Sequence, residues 1–306
     1  MGKIAFLFPG QGAQYTGMGK SLYESDKEVK ELFDAAERIR PGTLKQMFEG
    51  TKEELTLTLN SQPCLYLADM AAATALVNRG VSPDAAAGFS LGEIAALAFG
   101  GAYSAVEGFR IVCRRAELMN DAGSKVDSGM TAVLKLDDET VEKICKKFPE
   151  VYPVNYNSDG QLVVAGKKEN LPAFKEEIAA AGGRTIDLAV SGGFHSPFMD
   201  SAAEGFATAL DSFDIELPKL PVYANYDAKV YDKNPKEILP LQINNPVRWK
   251  NIIKDMQENG FDTFIEAGPG KVLSGLVKKI AHGAKIYAAD SDETVDAVIE
   301  AVNQNA

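Results

Sequence analysis

The chain has 306 residues, 45% hydrophobic and 25% charged, with a formal net charge of −11. That is a globular composition with length for a large core, and its acidity argues against nonspecific binding to nucleic acid or an anionic membrane surface. Three scattered cysteines (Cys64, Cys113, Cys145) and two histidines give no disulfide framework and no metal site, and no stretch approaches the ~18 apolar residues of a membrane span. The apolar run Met1–Phe8 is too short for a signal peptide, so a cytoplasmic location is expected.

Ile4–Phe8 reads as a buried strand ending in the loop Pro9-Gly10-Gln11-Gly12-Ala13-Gln14. Tyr15 stands where a third glycine would complete a dinucleotide fingerprint, and no Walker A ending follows. Residues 20–80 read as helical in pieces, with a long Ala-rich helix over Leu65–Val77. Ala85-Ala86-Ala87 then leads into Gly88-Phe89-Ser90-Leu91-Gly92-Glu93, and Ile94–Phe99 follows, apolar on every side. Strand, G-x-S-x-G and helix in that order describe a nucleophile elbow, which exposes a serine at the top of a sheet beside the unpaired N–H groups of a helix N-terminus. A side chain at either glycine would crowd the turn.

Ser104 and Glu107 form a capping-box pattern, and the helix they open is expected to reach about Asn120, with Gly123 beyond it. Arg110, Arg114 and Glu117 line a solvated face. Arg115 differs, because Ile111, Leu118 and Met119 surround it on a half-apolar stripe, where an arginine either snorkels or anchors a carboxylate or phosphate.

From about Gly129 the texture changes. Met130–Leu136, Asp138–Phe148, Val151–Asn157, Gln161–Ala165, Leu171–Ala181 and Arg184–Val190 read in the order β-α-β-β-α-β, a ferredoxin-like unit. The expected fold is therefore α/β: an α/β-hydrolase-like body over residues 1–125 and 194–306, with a ferredoxin-like subdomain inserted over 126–193. Ser191–Pro197 returns the chain to the body. A helix near 199–213, a strand over Val222–Asn225, a helix opened by Asn244–Trp249, a strand over Thr263–Glu266 and a helix from Lys271 complete it.

A nucleophilic serine needs a base. His282 follows a helix end, where it suits a capping role, so His195, in a Gly-rich loop at the seam of the two subdomains, is the one usable candidate. No third triad member stands out. Asp187 and Asp200 are near His195 in sequence, and a backbone or amide carbonyl could orient the imidazole equally well. On these residues alone, an elbow serine with a histidine base reads as the centre of a hydrolase such as a carboxylesterase or thioesterase.

Taken together, Phe8–Gln14, Gly88–Glu93, Arg115 with Met119-Asn120, Pro153–Ser158, His195-Ser196, Asn245–Trp249 and Glu266–Leu273 run in an order that resembles the malonyl-CoA:acyl carrier protein transacylases, the loading enzymes of fatty acid synthesis. The resemblance implies Ser90 as nucleophile, His195 as base, and the N–H groups of Gln11 and Leu91 as oxyanion hole. It implies that Arg115 pairs with the malonyl carboxylate and that Gln242 orients His195 through its main-chain carbonyl. Gln62, Asn155, Asn157 and Phe194 would line the site. Malonyl-CoA and acyl carrier protein are the implied partners of a monomer, with coenzyme A as substrate, phosphopantetheine on the carrier and no resident cofactor. The family's histidine before the nucleophile is replaced here by Phe89, whereas Phe194 before His195 is similar to malonyl-selective members. An acidic carrier would need a local basic patch, for which Lys271, Lys278, Lys279, Arg248 and Lys250 are the candidates.

Overall fold

The computed structural model describes residues 2–304, so residue 1 and residues 305–306 of the expected body lie outside the described residues. Its first sheet is parallel, with strand order β7-β2-β1-β8-β9: β1 Lys3–Phe8, β2 Ala85–Gly88, β7 Val222–Tyr223, β8 Phe261–Ala267 and β9 Lys285–Ala289. The continuous apolar run of β1 follows from burial on both faces. Ile4, Phe6 and Phe8 pack with the helices over Thr58–Asn78 and Gly92–Phe99, while Ala5 and Leu7 pack on the opposite face with Trp249, Ile252 and Ile253.

The second sheet is antiparallel, in the order β4-β5-β3-β6: β3 Ser128–Leu134, β4 Val151–Ser158, β5 Gln161–Lys167 and β6 Arg184–Asp187. With the helices Asp138–Cys145 and Leu171–Ala180 it is ferredoxin-like, closed over its own core of Val133, Val141, Leu162, Phe174 and Ile178. Val247 stitches the two sheets together. Its N–H donates to the Val154 carbonyl at 2.8 Å, and its carbonyl accepts from the Tyr156 N–H at 2.9 Å. Asn155 and Asn157, on one face of β4, are thereby placed at the seam.

Several elements depart from their expected bounds for identifiable reasons. The helix expected from Leu65 starts at Thr58 and contains Pro63, which cannot donate to the Leu59 carbonyl; Arg40 Nη2 donates to that oxygen instead, at 3.3 Å. The capping box at Ser104 and Glu107 is present, but its helix runs through Gly123 to Lys125. Gly123 serves close packing there rather than termination, because a Cβ on Gly192 would stand 2.9 Å from its Cα. The strand at Val222 stops after Tyr223, since the Asn225 side chain is used at the elbow. Strand β6 stops at Asp187, short of Val190. Strand β9 and the helix Asp292–Gln304 had no counterpart among the expected elements. Among the described residues, no helix is long and apolar enough to cross a membrane.

Candidate active site

The site is built from the carboxyl end of β2. Gly88 closes the strand and the next helix starts at Gly92, leaving Ser90 with φ +55. A left-handed non-glycine residue costs about 1–3 kcal/mol and persists where its surroundings over-determine it. Here they do. A Cβ on Gly88 would stand 1.9 Å from the Gly92 carbonyl, and one on Gly92 would stand 2.1 Å from the Phe8 carbonyl oxygen, so both positions exclude side chains. Asn225 braces the turn: its Oδ1 accepts from the Ser90 N–H at 2.7 Å and its Nδ2 donates to the Gly88 carbonyl at 2.6 Å.

His195 also has a positive φ, +61, held by its N–H on the Ile243 carbonyl at 3.1 Å. Its Nε2 lies 2.8 Å from Ser90 Oγ and its Nδ1 lies 2.7 Å from the Gln242 main-chain oxygen. A carbonyl oxygen can only accept, so Nδ1 carries the proton and Nε2 presents its lone pair to the Ser90 hydroxyl. Neither weighed aspartate takes the orienting place. Asp187 is exposed and paired with Lys175, and Asp200 accepts from Asn244. His282 is exposed beyond the helix Val272–Ile280.

Arg115 is fully buried. Its Nη1 donates to Gln62 Oε1 at 2.7 Å, and its Nη2 donates to Gln242 Oε1 at 2.6 Å and to Ser90 Oγ at 3.2 Å. Its Nε is buried without a partner among the described residues. A guanidinium thus touches the nucleophile and retains an unspent donor, which suits an anion attached to whatever Ser90 attacks. Gln62 is in turn tied to Gln11, donating from Nε2 to its Oε1 at 3.4 Å. The Ser90 N–H is spent on Asn225, whereas the Gln11 and Leu91 N–H groups donate to no protein acceptor among the described residues.

Beneath these groups lies a residue that sequence reasoning did not single out. Glu93 is fully buried, and accepts from Gln242 Nε2 at 2.7 Å, from the Asn225 N–H at 3.2 Å and from the Tyr231 hydroxyl. A lone acid in the otherwise apolar helix Gly92–Phe99 was its only signal. Asn225 and Tyr231 gave none, since their partners lie more than a hundred residues away in sequence.

Burial sets the proton affinities. It lowers the His195 imidazole to about 4, with the Arg115 cation adding to the effect and the Gln242 carbonyl opposing it. It lowers Arg115 to about 10, opposed by Glu93, and pushes Glu93 up to about 7 against its three hydrogen bonds and the Arg115 charge. A base whose proton affinity is depressed stays free at lower pH. The kcat/KM for acylating Ser90 should therefore hold as pH falls through about 6.5, the free-imidazole value, and decline only near about 4. A pH profile of thiol release with an acid limb near 6.5 would contradict this.

The chamber holding Ser90 and His195 is about 70 Å³, walled by Gln11, Phe89, Asn155, Leu188 and Phe194 among others. It adjoins an apolar corridor of about 250 Å³ that shares Gln11, Phe89, Asn155 and Leu188 and extends past Asn157 to Val272, which is 51% exposed. The Oδ1 atoms of Asn155 and Asn157 are buried there without partners among the described residues. Phe89 replaces a polar neighbour of the nucleophile by packing edge-on to Trp249, ring centroids 5.5 Å apart. Of the ten residues expected at the site, Gln11, Ser90, Asn155, Phe194 and His195 line this chamber, Leu91 follows Ser90, Asn157 lines the corridor, and Arg115, Gln62 and Gln242 are joined to the group by hydrogen bonds.

A family model described as acyl transferase domain matches residues 5–301. The chain is 41% identical over 313 residues to the malonyl CoA-acyl carrier protein transacylase of Bacillus subtilis (strain 168), covering 99% of this chain and 98% of the relative. The crystal structure of the enzyme of that name from Clostridium perfringens superposes with a TM-score of 0.95 at 36% identity, covering 99% and 98% of the two chains. A malonyl-transacylase solved in complex with its type II PKS acyl-carrier protein, PlMCAT:AntF, gives a TM-score of 0.93 at 32% identity over 98% and 99%. The chain belongs to the acyl transferase domain family and, within it, to the malonyl CoA-acyl carrier protein transacylases.

Proposed function

We propose that the chain moves malonyl from malonyl-CoA to the phosphopantetheine thiol of an acyl carrier protein by a ping-pong route through malonyl-Ser90. The observation that carries this reading is Ser90 Oγ standing between His195 Nε2 at 2.8 Å and Arg115 Nη2 at 3.2 Å. A base beside the hydroxyl makes a nucleophile; a buried cation beside it selects an acyl group that ends in a carboxylate.

In the first half-reaction His195 takes the Ser90 proton, Oγ bonds to the thioester carbon, and the oxyanion accepts from the Gln11 and Leu91 N–H groups. One such donor is worth on the order of 10²–10³ in rate. The C–S bond breaks, and the proton on His195 passes to the coenzyme A sulfur. In the second half the carrier thiol gives its proton to His195, attacks the ester, and Ser90 leaves with that proton. Gln242 holds the imidazole and Gln62 holds Arg115. Asn155, Asn157 and Phe194 shape the chamber and corridor, along which the pantetheine arm would lie.

Coenzyme A and the carrier's phosphopantetheine are substrates in this scheme, and no resident cofactor takes part. The chain would act as a cytoplasmic monomer in fatty acid synthesis, with 1–125 and 194–306 as catalytic body and 126–193 as inserted ferredoxin-like subdomain. Exposed Lys271, next to Val272 at the corridor mouth, suits an acidic carrier, with Lys278 in the last turn of the same helix and Arg248 as further exposed charges. Lys250 does not, being paired with Asp138 and Asp159, and Lys279 Nζ is on Gln161 at 3.0 Å. Transfer from a panel of acyl-CoAs to purified holo carrier protein tests the reading. Malonyl should transfer far faster than acetyl; fast carrier-independent hydrolysis of simple esters would favour an esterase instead.

A further inference from the structure

The Gln242 amide connects the base, the nucleophile and the cation to one buried acid. Its Nε2 donates to Glu93 Oε2 and to the Ser90 carbonyl, both at 2.7 Å, its Oε1 accepts from Arg115, and its main-chain carbonyl holds His195. Glu93, together with the Ser90 carbonyl and Arg115, fixes which way that amide faces and so helps set where His195 and Arg115 sit.

The titratable groups around Glu93 are Arg115, His195, Tyr231 and Tyr103. Of these only Arg115 is charged near neutral pH, because burial keeps His195 neutral and both tyrosines protonated. Above about pH 7 the site thus holds one cation and one carboxylate, joined through an amide. A substrate anchored on Arg115 brings a second carboxylate into the same water-excluded space. Two anions against one cation are unfavourable there, since the interior screens poorly.

Resting on the malonyl reading above, we propose that Glu93 is a positioning residue that takes up a proton when the malonyl carboxylate engages Arg115, keeping the buried site neutral through the acyl-enzyme stage. Protonated on Oε1, Glu93 donates to the Tyr231 oxygen and reverses that one hydrogen bond. Its Oε2 goes on accepting from Gln242 and Asn225, so the positions of His195 and Arg115 survive the change. The acylation chemistry consumes no proton below about pH 8, because the Ser90 proton ends on a thiol whose ordinary pKa is about 8.5. Net proton uptake on loading then reports Glu93.

The test is single-turnover loading of the full chain with malonyl-CoA in weak buffer with a pH indicator near about pH 7.5, Ser90 occupancy being read by intact mass. Uptake of a large part of one proton per malonyl-Ser90 is expected, and Glu93→Gln should load without uptake. Loading of the unmutated chain with no uptake, or uptake that persists in Glu93→Gln, overturns the proposal. Persistence would point to His195. If Glu93→Gln does not fold by near-ultraviolet circular dichroism, Tyr231→Phe serves: losing that donor raises the Glu93 proton affinity, so uptake should move to higher pH. An unmoved uptake profile counts against the proposal. Failure to form any adduct would instead refute the transfer reading.

Discussion

Replacing Arg115 by alanine should lower malonyl loading of Ser90 by roughly 10²–10³-fold while leaving acetyl loading unchanged or improved. Removing one partner of a buried charged hydrogen-bond set costs about 3–5 kcal/mol in structures of this kind, and the lower end of that range converts to the rate loss given. Part of the effect falls on the protein itself. The Oε1 atoms of Gln62 and Gln242 lose their donor, and Glu93 loses the cation that opposes its protonation. The informative quantity is therefore the ratio of kcat/KM for malonyl-CoA to that for acetyl-CoA, which a general loss of stability leaves alone. Arg115→Lys restores the charge without the planar fork and should recover only part of that ratio. A ratio unchanged in Arg115→Ala would remove the arginine from substrate selection.

His195→Ala should lower CoA release by roughly 10⁴–10⁶-fold, the range seen when one member of a nucleophile–base unit is deleted. Nothing else at the site can take its place. Arg115 is a donor only, Glu93 is one amide away from the hydroxyl, and the Gln242 side-chain oxygen is already engaged. Stopped-flow thiol detection checks this, and activity within tenfold of the unmutated chain would mean that another group removes the proton.

Parts of this site were legible in the sequence because their signals are local. The elbow announces itself within six residues, one histidine lies in a Gly-rich seam, and one arginine interrupts an apolar helix stripe. The parallel body was legible for the same reason, as apolar runs ending in Gly-rich loops. What could not be read is what depends on distance. Spacing left the partner of His195 open between two aspartates and a carbonyl, and only a family resemblance pointed to Gln242. Glu93 was visible as an acid among apolar neighbours, but its partners Asn225, Tyr231 and Gln242 come from segments more than 130 residues away. Asn225 shows how such contacts override local preference. The run Val222–Asn225 reads as a strand, yet the chain leaves the sheet after Tyr223 and the Asn225 side chain bonds the elbow instead. Phe89 carries the same lesson. Its meaning lies in the Trp249 ring it packs against and in the chamber and corridor it lines, neither of which is local in sequence.

The account turns on a malonyl ester at Ser90, and intact mass measures that directly. After mixing with malonyl-CoA the chain should gain one malonyl group and lose it to holo carrier protein, and Ser90→Ala should gain none. An unmodified mass for the active protein, or the same adduct on Ser90→Ala, would contradict it.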